Sequence, residues 1–433
     1  MIVRALVAML LAAAAAPLAA ETFAISGGTV ALGDGSEPIP NGMVVVRDGR
    51  IIAAGDVRMR LPAGTRVIDA TGKWVTPGIV AGFTRLGLTE LDLGGDDSDD
   101  TSATGPFNAA IDVVPSINPL ASTISVNRAD GVTRALVAPA AGKSIFAGQG
   151  AIIDTGADMN PVTAPRLFQF VELGEAGADL AGGSRSSAHA LFRNALLEAR
   201  EIRGRPLGSR RDDVLLSRFD ARALIPVVEG RQYLLVHVER ASDILAVLDL
   251  KREFPALKLV LVGVTEGWTV ADAIARAEVP VIASPLNDLP GSFERLAATQ
   301  SNVGRMKQAG VRVSIGMIND DDTRNQFLER QYAGNLVGLS RLPGHSGLRW
   351  GEALAMITSG PAQAIGMGGD IGSLAPGRRA DVVIWSGDPL EGSSAAEQVF
   401  IDGVQQPLDS RQTKLLQRYR HLPRRELPEA YRH

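Results

Sequence analysis

A histidine at the end of a predicted strand is the side chain of this sequence best placed to do chemistry. His237 lies in the apolar run 234–238, and a predicted helix at residues 241–254 follows it. An imidazole at the end of a buried strand can transfer protons near neutral pH or bind a divalent metal. The alternative role is that of a core histidine held by hydrogen bonds. We predict that His237 is a catalytic residue and a metal ligand.

Two acidic residues follow later predicted strands and are candidate partners for this histidine. Glu266 lies just beyond the strand predicted at residues 257–262, and Asp320 lies beyond the strand predicted at residues 311–315. Glu266 has an alternative role as a carboxylate that binds free N–H groups at a helix N-terminus. The run of aspartates at 320–322 is also typical of a solvated loop. Both side chains are therefore candidates, Glu266 for ligand binding and Asp320 for chemistry at the same end of the strands.

Length and charge limit the classes of protein. A chain of 433 residues fits an α/β barrel of about 250 residues with an accessory domain. The net charge of -4 offers no excess of positive charge to follow a phosphate backbone, so we expect no nucleic-acid partner. The chain has no cysteine, so its stability must come from its core and not from disulfides.

The N-terminal segment is typical of a secretory signal peptide. Arg4 is followed by an apolar run at residues 5–16 and by small residues before Glu21. The apolar run is shorter than the roughly 20 residues that a membrane-spanning helix needs. An uncleaved membrane anchor is the alternative interpretation. We predict a periplasmic or secreted protein with no membrane span after signal cleavage.

Strands and helices alternate through the middle of the chain, as βαβ units require. The predicted strands are 135–138, 151–154, 234–238, 257–262, 279–283 and 311–315. The predicted helices are 186–202, 241–254, 270–277, 293–308 and 350–357. Short strands at both ends, with hairpin signals at Asp48-Gly49 and Asp402-Gly403, predict one small β domain built from the two ends. Periodicity alone leaves a barrel and a doubly wound sheet open.

Three segments resemble the amidohydrolase superfamily of metal-dependent hydrolases, in particular imidazolonepropionase and dihydroorotase. They are residues 75–88 (VTPGIVAGFTRLGL), 358–366 (TSGPAQAIG) and 372–384 (GSLAPGRRADVVI). The resemblance implies an α/β fold in which a (β/α)8 TIM-like barrel is inserted in a small β-sandwich domain built from N- and C-terminal segments. Together with the residue patterns, it divides the chain into a signal peptide (1–20), a β-sandwich (21–75 and 376–407), a barrel (76–375) and a C-terminal helix and tail (408–433).

The resemblance also implies where a metal site would lie. The family places two histidines on the first barrel strand, at the positions of Phe83 and Arg85, which project to the same face. It places another at the position of Val262. A phenyl ring offers no lone pair, and a guanidinium carries a permanent positive charge. The resemblance therefore implies a reduced or rearranged site for a divalent metal such as zinc, with His237 as a remaining ligand.

Two functions follow from this resemblance. The first is a hydrolase acting on carbon–nitrogen bonds, other than peptide bonds, of a small-molecule substrate. The second is a catalytically inactive family member that binds a ligand or partner at the barrel mouth. On this resemblance we predict Asp320 as a catalytic residue beside His237, and Phe83, Arg85 and Glu266 as ligand-binding residues. Arg85 could replace the charge of the metal by pairing with Asp320 or Glu266. The carboxylate that would bridge the metal ions is left open between Glu172 and Glu229. Self-association is also left open.

Overall fold

The computed structural model describes residues 22–56, 59–61, 63–90, 99–101, 104–206, 212, 214–318 and 325–420. Over these residues the chain forms a mixed α/β fold with a nearly closed barrel sheet of eight strands and a second eight-stranded sheet. The strands are β1 (Phe23–Val30), β2 (Ile39–Arg47), β3 (Arg50–Gly55), β4 (Arg66–Asp69), β5 (Trp74–Pro77), β6 (Ile79–Thr84), β7 (Val132–Val137), β8 (Phe146–Asp154), β9 (Val162–Glu172), β10 (Tyr233–Val238), β11 (Lys258–Gly263), β12 (Val281–Ala283), β13 (Val313–Ile315), β14 (Val382–Trp385), β15 (Ala396–Ile401) and β16 (Val404–Gln405). The helices are α1 (Ser122–Ala129), α2 (Gly174–Leu180), α3 (Arg185–Ile202), α4 (Arg218–Ala223), α5 (Ile225–Val228), α6 (Ala241–Glu253), α7 (Ala271–Arg276), α8 (Asn302–Gln308), α9 (Glu329–Leu339), α10 (Trp350–Met356), α11 (Ser359–Ala364) and α12 (Arg411–Tyr419).

The barrel sheet has the order β13-β12-β11-β10-β9-β8-β7-β6. Its strand pairs are parallel except around β8, which runs antiparallel to both β7 and β9. The all-parallel barrel implied by the (β/α)8 resemblance is corrected at this strand. The connections at residues 138–145 and 155–161 are shorter than the roughly dozen residues that a parallel crossover needs, so β8 must reverse direction.

The helix predicted at residues 293–308 is also corrected, because only α8 forms within it. Both backbone groups of Ala297 are bonded by side chains of other segments. Its N–H donates to Glu266 Oε1 at 3.0 Å, and its carbonyl accepts from Trp268 Nε1 at 2.8 Å. These groups are therefore not available to a helical ladder, and the chain follows an irregular path until α8 begins.

The second sheet joins the two ends of the chain. Its order is β16-β15-β14-β5-β1-β2-β3, with β4 paired to β1, and the antiparallel β14·β5 pair connects the C-terminal to the N-terminal strands. The two predicted hairpin turns are confirmed. Asp48-Gly49 has φ angles of 54° and 70°, and Asp402-Gly403 has 50° and 75°, the left-handed values that such a turn requires. The packing of this sheet into a β-sandwich stays a prediction.

The inside of the barrel sheet is a packed apolar core. Its buried members include Val80, Leu136, Phe168, Phe170, Leu235, Val260 and Ile282. A second core lies between the sheet and its helices, and a third lies in the second sheet. Burial of each large side chain contributes about 1.5–3 kcal/mol. Such cores stabilise a chain that has no cysteine.

A buried ion network connects the barrel sheet to the second sheet. Arg134 on β7 is fully buried, and its Nε and Nη2 donate to the two oxygens of Asp381 at 2.8 and 2.9 Å. Asp402 Oδ1 lies 2.9 Å from Nη2, and Asp154 Oδ2 lies 3.5 Å from Nη1. Burial raises the pKa of Asp154 to about 6, although Arg134 opposes that shift. One buried cation thus holds carboxylates from both sheets.

A buried carboxyl group next to the open seam of the barrel gives the first testable prediction. Glu329 is fully buried at the start of α9; its Oε1 accepts the Gly82 N–H at 3.4 Å, and its Oε2 has no hydrogen-bond partner among the described residues. Burial raises the pKa of Glu329 well above its usual value, which the weak bond from Gly82 does not offset. The folded state therefore keeps a proton that the unfolded chain loses, and stability falls as the pH rises above the ordinary glutamate pKa.

Replacing Glu329 with glutamine removes this titration and keeps an acceptor for Gly82. As the pH rises from 5 to 8, we expect the free energy of unfolding of Glu329→Gln to increase relative to that of the native chain. The increase should be up to about 1.4 kcal/mol per pH unit while the pH is below the pKa of Glu329 in the folded state. Urea unfolding at both pH values measures the difference. A stability difference that does not change with pH would contradict the prediction.

Candidate active site at the barrel mouth

His237 lies at the end of β10, between two glutamates at the mouth of the barrel. Its Nδ1 is 2.6 Å from Glu172 Oε1, and its Nε2 is 3.1 Å from Glu239 Oε1. Glu172 ends β9 and pairs in register with His237, so the parallel ladder itself brings the two side chains together. Glu239 lies two residues after His237 in the sequence, so its side chain projects to the same side as that of His237.

Charge favours the protonated form of the His237 ring. Burial disfavours the imidazolium, but the two carboxylates outweigh burial, Glu172 more than Glu239, and raise the pKa of His237 well above its usual value. Burial favours a higher pKa for Glu239, but the hydrogen bond to His237 and the nearby Arg295 lower the pKa of Glu239 below its usual value. The carboxylates therefore favour a cationic ring at this position.

The chain after β11 is shaped to receive Glu239. Gly263 and Val264 have φ angles of 87° and 59°, and the turn that they form directs the Thr265 N–H to Glu239 Oε2 at 2.8 Å. A Cβ at Gly263 would lie 2.7 Å from His237 Cδ2, so only glycine leaves room for the ring. Val264 is β-branched and rarely adopts this conformation, which marks backbone strain beside the site.

Further charges surround this group. Arg295 Nη2 lies 3.3 Å from Glu239 Oε1. The neighbouring Glu294 accepts the Glu175 N–H at 2.7 Å and a bond from Arg185 Nη2 at 3.1 Å. Burial raises the pKa of Glu294 above its usual value. The irregular segment between β12 and α8 therefore supplies one cation and one carboxyl group to the surroundings of His237.

Phe83 and Arg85 come together on the other side of the mouth. The Arg85 guanidinium carbon lies 5.1 Å from the Phe83 ring centroid and 5.7 Å from that of Phe170. Its Nη1 donates to the carbonyls of Ala138 and Pro139 at 2.7 and 2.8 Å. These contacts fix a permanent cation over two aromatic faces, a favourable arrangement for arginine.

Glu266 does not form the pair with Arg85 that the sequence suggested. Its oxygens accept the N–H groups of Ala241 and Ala297, each at 3.0 Å, so it binds the first residue of α6 and the irregular segment. Among the described residues, an acidic group near Arg85 is Asp100, whose Oδ2 lies 3.9 Å from Arg85 Nε. Arg85 follows β6 and Glu266 follows β11. These strands are not neighbours in the barrel sheet, so the two side chains do not meet. Asp320 lies outside the described residues.

The donors around His237 do not fit a zinc ion in this arrangement. A histidine ligand needs a free lone pair, and both ring nitrogens of His237 face carboxylates. Val262, at the position where the resemblance implies a histidine, is fully buried in the barrel core. Within the part of the chain that the structure describes, no group of three His, Cys, Asp or Glu side chains could hold a metal ion.

Two members of this cluster were missed by reasoning from the sequence. Glu239 could have been found from the two-residue spacing to His237, which places both side chains on one face of an extended segment. Arg295 could not, because it comes from a segment predicted to be helical. Glu172 was considered only as a metal-bridging residue, and Glu229, the other candidate for that role, pairs with Arg203 and lies apart from this group.

Comparisons with known proteins agree with the fold. Residues 255–408 match the model of the Amidohydrolase family. The chain is similar to an imidazolonepropionase of Acidiphilium cryptum, with 25% identity over 398 residues that cover 84% of this chain and 94% of that protein. It is also similar to the amidohydrolase tasK of Hapsidospora irregularis, with 25% identity over 85% of this chain. The chain spans only 39% of the length of tasK.

A solved amidohydrolase structure from Thermotoga maritima has the same fold. It superposes with a TM-score of 0.77 at 22% sequence identity and covers 88% of this chain and 99% of its own. The family match, the relatives and this architecture lead to one conclusion. They support a member of the amidohydrolase superfamily.

Proposed function

We propose that this protein is a hydrolase that cleaves a carbon–nitrogen bond, other than a peptide bond, in a small molecule. Membership of the amidohydrolase superfamily and the imidazolonepropionase relative support a hydrolase. The observation that carries the proposal is the Glu172–His237–Glu239 group, which offers a proton donor and a carboxylate acceptor in contact at the strand ends. Active sites of α/β barrels lie at this end of the strands.

The proposed roles follow from burial and charge. Glu172 is the more exposed of the two carboxylates, with 15% of its side chain accessible against 1% for Glu239. Glu172 takes a proton from water, whose oxygen then attacks the carbonyl carbon. The carbon–nitrogen bond breaks as His237 Nδ1 gives its proton to the leaving nitrogen. The proton on Glu172 then passes to Nδ1 and restores both groups. Glu239 positions the ring and sustains its charge.

We propose that this site is reduced or rearranged relative to the metal site that the family resemblance implies. Phe83 and Arg85 stand where two metal-binding histidines are expected, and both nitrogens of His237 are engaged. We propose Asp320 as a further catalytic residue, and Phe83, Arg85 and Glu266 as ligand-binding residues. In this proposal the protein's own side chains, and not a metal ion, act as acid and base in the hydrolysis.

Hydrolysis of a substrate panel tests this proposal. Purified protein treated with a chelator, and the same protein resupplied with zinc, would be assayed on cyclic amides and N-acyl amino acids. We expect turnover without added metal and a loss of kcat of at least about 100-fold in His237→Ala and Glu172→Gln, the usual contribution of an acid–base group. His345→Ala, in an exposed loop, is the matched control and should keep full activity. Turnover that requires metal would overturn the assigned roles.

A second candidate function is ligand binding without catalysis, and Arg85 favours it. A guanidinium anchored by two carbonyls and stacked on aromatic rings is well suited to bind a carboxylate. In that case no substrate would turn over, carboxylate ligands would raise Tm, and Arg85→Met would abolish the increase while His237→Ala would not.

We also propose that the chain is exported by a signal peptide at residues 1–20 and acts in the periplasm or outside the cell. Those residues lie outside the described structure. N-terminal sequencing of the protein recovered from the periplasm of its host tests this, with Glu21 as the expected first residue.

A further inference from the structure

The helix α12 presents every described side chain to solvent. It begins with a capping box in which Ser410 Oγ accepts the Thr413 N–H at 3.2 Å and Thr413 Oγ1 accepts the Ser410 N–H at 2.8 Å. Beyond Ser410, the described side chains up to Arg420 are all exposed. A helix of nine residues is marginal in water unless one face is buried. This helix therefore needs a partner surface.

The apolar side chains of α12 lie on one face. At 100° per residue, Leu415, Leu416 and Tyr419 fall within one arc of the helix. They are 38%, 65% and 57% exposed. A tyrosine flanked by leucines has an apolar body and a polar tip, a composition suited to the boundary between water and an apolar phase.

The charged side chains of α12 all have one sign. Arg411, Lys414, Arg418 and Arg420 are the cations of residues 411–420, and that segment contains no aspartate or glutamate. Arg411, Lys414 and Arg418 fall on the arc next to the apolar face. Arg411 and Lys414 lie near the N-terminus of the helix, where the helix dipole favours anions. Their placement does not stabilise the isolated helix, and it suits an external anionic surface.

We propose that α12 binds flat on an anionic lipid surface. The cations would contact the phosphate groups of the lipids, while Leu415, Leu416 and Tyr419 enter the boundary between headgroups and acyl chains. The helix is about 14 Å long, about half the thickness of the bilayer core, so it lies on the surface and does not cross it. Consistent with that geometry, none of the described helices has the length and apolar character of a membrane span.

Vesicle co-sedimentation of the full chain tests the proposal. The probes are vesicles of phosphatidylcholine alone and of equal parts phosphatidylcholine and phosphatidylglycerol, at about 50 mM and about 500 mM salt. We expect binding only to the anionic vesicles, and release at high salt. Each cation removed should weaken binding about fivefold, so Lys414→Gln with Arg418→Gln should weaken it about 25-fold. Leu415→Ser with Leu416→Ser should weaken it at least tenfold.

Arg252→Gln is the matched control, because Arg252 is an exposed cation on a different helix, α6. It should bind vesicles as the native chain does, and all variants should keep the native Tm because α12 is peripheral. Absence of binding to anionic vesicles would overturn the proposal, as would equal binding by the double cation variant. A dimer in solution that dissociates in Leu415→Ser with Leu416→Ser, without vesicle binding, would show instead that a second copy covers this face.

Discussion

Replacing Arg134 with methionine is expected to lower the free energy of unfolding by about 3–5 kcal/mol. Methionine keeps much of the apolar volume of the side chain but leaves Asp381, which is only 4% exposed, without its cation. An unpaired buried carboxylate is strongly unfavourable. Because this network connects the barrel sheet to the second sheet, the loss should affect the whole fold. Urea unfolding at pH 7 measures it.

Two companion variants separate the ion network from simple loss of a charge. Arg166→Ala removes an arginine whose side chain is 59% exposed and which pairs with Asp112, so it should cost no more than about 1 kcal/mol. Arg134→Met with Asp381→Leu removes both buried charges and should recover much of the stability, since apolar pairs often replace buried ion pairs. If Arg134→Met unfolds within about 1 kcal/mol of the native chain, the network does not have this role.

Asp154 adds a pH dependence to the same network. Its pKa is raised to about 6 by burial, so the folded state holds a proton that the unfolded chain has already lost above its ordinary pKa near 3.8. The contribution of Asp154 to stability therefore declines as the pH rises through about 6. Without Arg134 to favour the carboxylate, the pKa of Asp154 should rise further.

Replacing Glu239 with glutamine is expected to lower the free energy of unfolding by about 2–4 kcal/mol. Glu239 is only 1% exposed and bonds His237, the Thr265 N–H and Arg295. Glutamine can still accept from Thr265, but it carries no charge to balance the two cations. Its NH2 group would also face the donors of the imidazolium and guanidinium.

The same variant should lower the pKa of His237. In the native chain this pKa is raised, so the pair contributes its full stability below the ordinary histidine pKa of about 6.5, and the contribution is lost as the pH rises through the folded value. Urea unfolding between pH 6 and pH 9 should therefore show a smaller decline for Glu239→Gln than for the native chain. NMR titration of the His237 ring, assigned with His237→Ala, reads the pKa directly.

Glu253→Gln provides the control for this experiment. Glu253 is partly exposed and pairs with Arg193 on the protein surface, so its replacement should leave both the His237 pKa and its pH profile unchanged. A His237 pKa in Glu239→Gln equal to that of the native chain would contradict the assigned electrostatics.

Elements with strong local signals could be predicted from the sequence. The helix predicted at 186–202 is observed as α3, and the strand predicted at 234–238 is observed as β10. The helix has apolar residues at 3.6-residue spacing and the strand is a short continuous apolar run, and both signals depend on neighbouring residues only. β9 was missed because Pro165 and Arg166, which has a φ angle of 46°, interrupt its alternation.

The direction of β8 and the path of residues 293–301 depend on contacts that no local pattern reports. β8 reads as an ordinary buried strand, and only the short connections on either side decide that it runs antiparallel. The segment before α8 has helical spacing of its apolar residues, but Glu266 and Trp268 bind its backbone from elsewhere in the chain. Tertiary bonds therefore override local preference there.

The site divides in the same way. The sequence by itself determined that an amidohydrolase-like barrel would end one of its strands in His237. It also determined that Phe83 would stand on the first barrel strand, with Arg85 two residues further on. Only the tertiary structure decided what those side chains contact. Glu172 reaches His237 across 65 residues because β9 and β10 pair in register, and Arg295 reaches Glu239 because its segment does not become a helix. Charge and pKa at a site are set by neighbours in space, which a linear sequence does not specify.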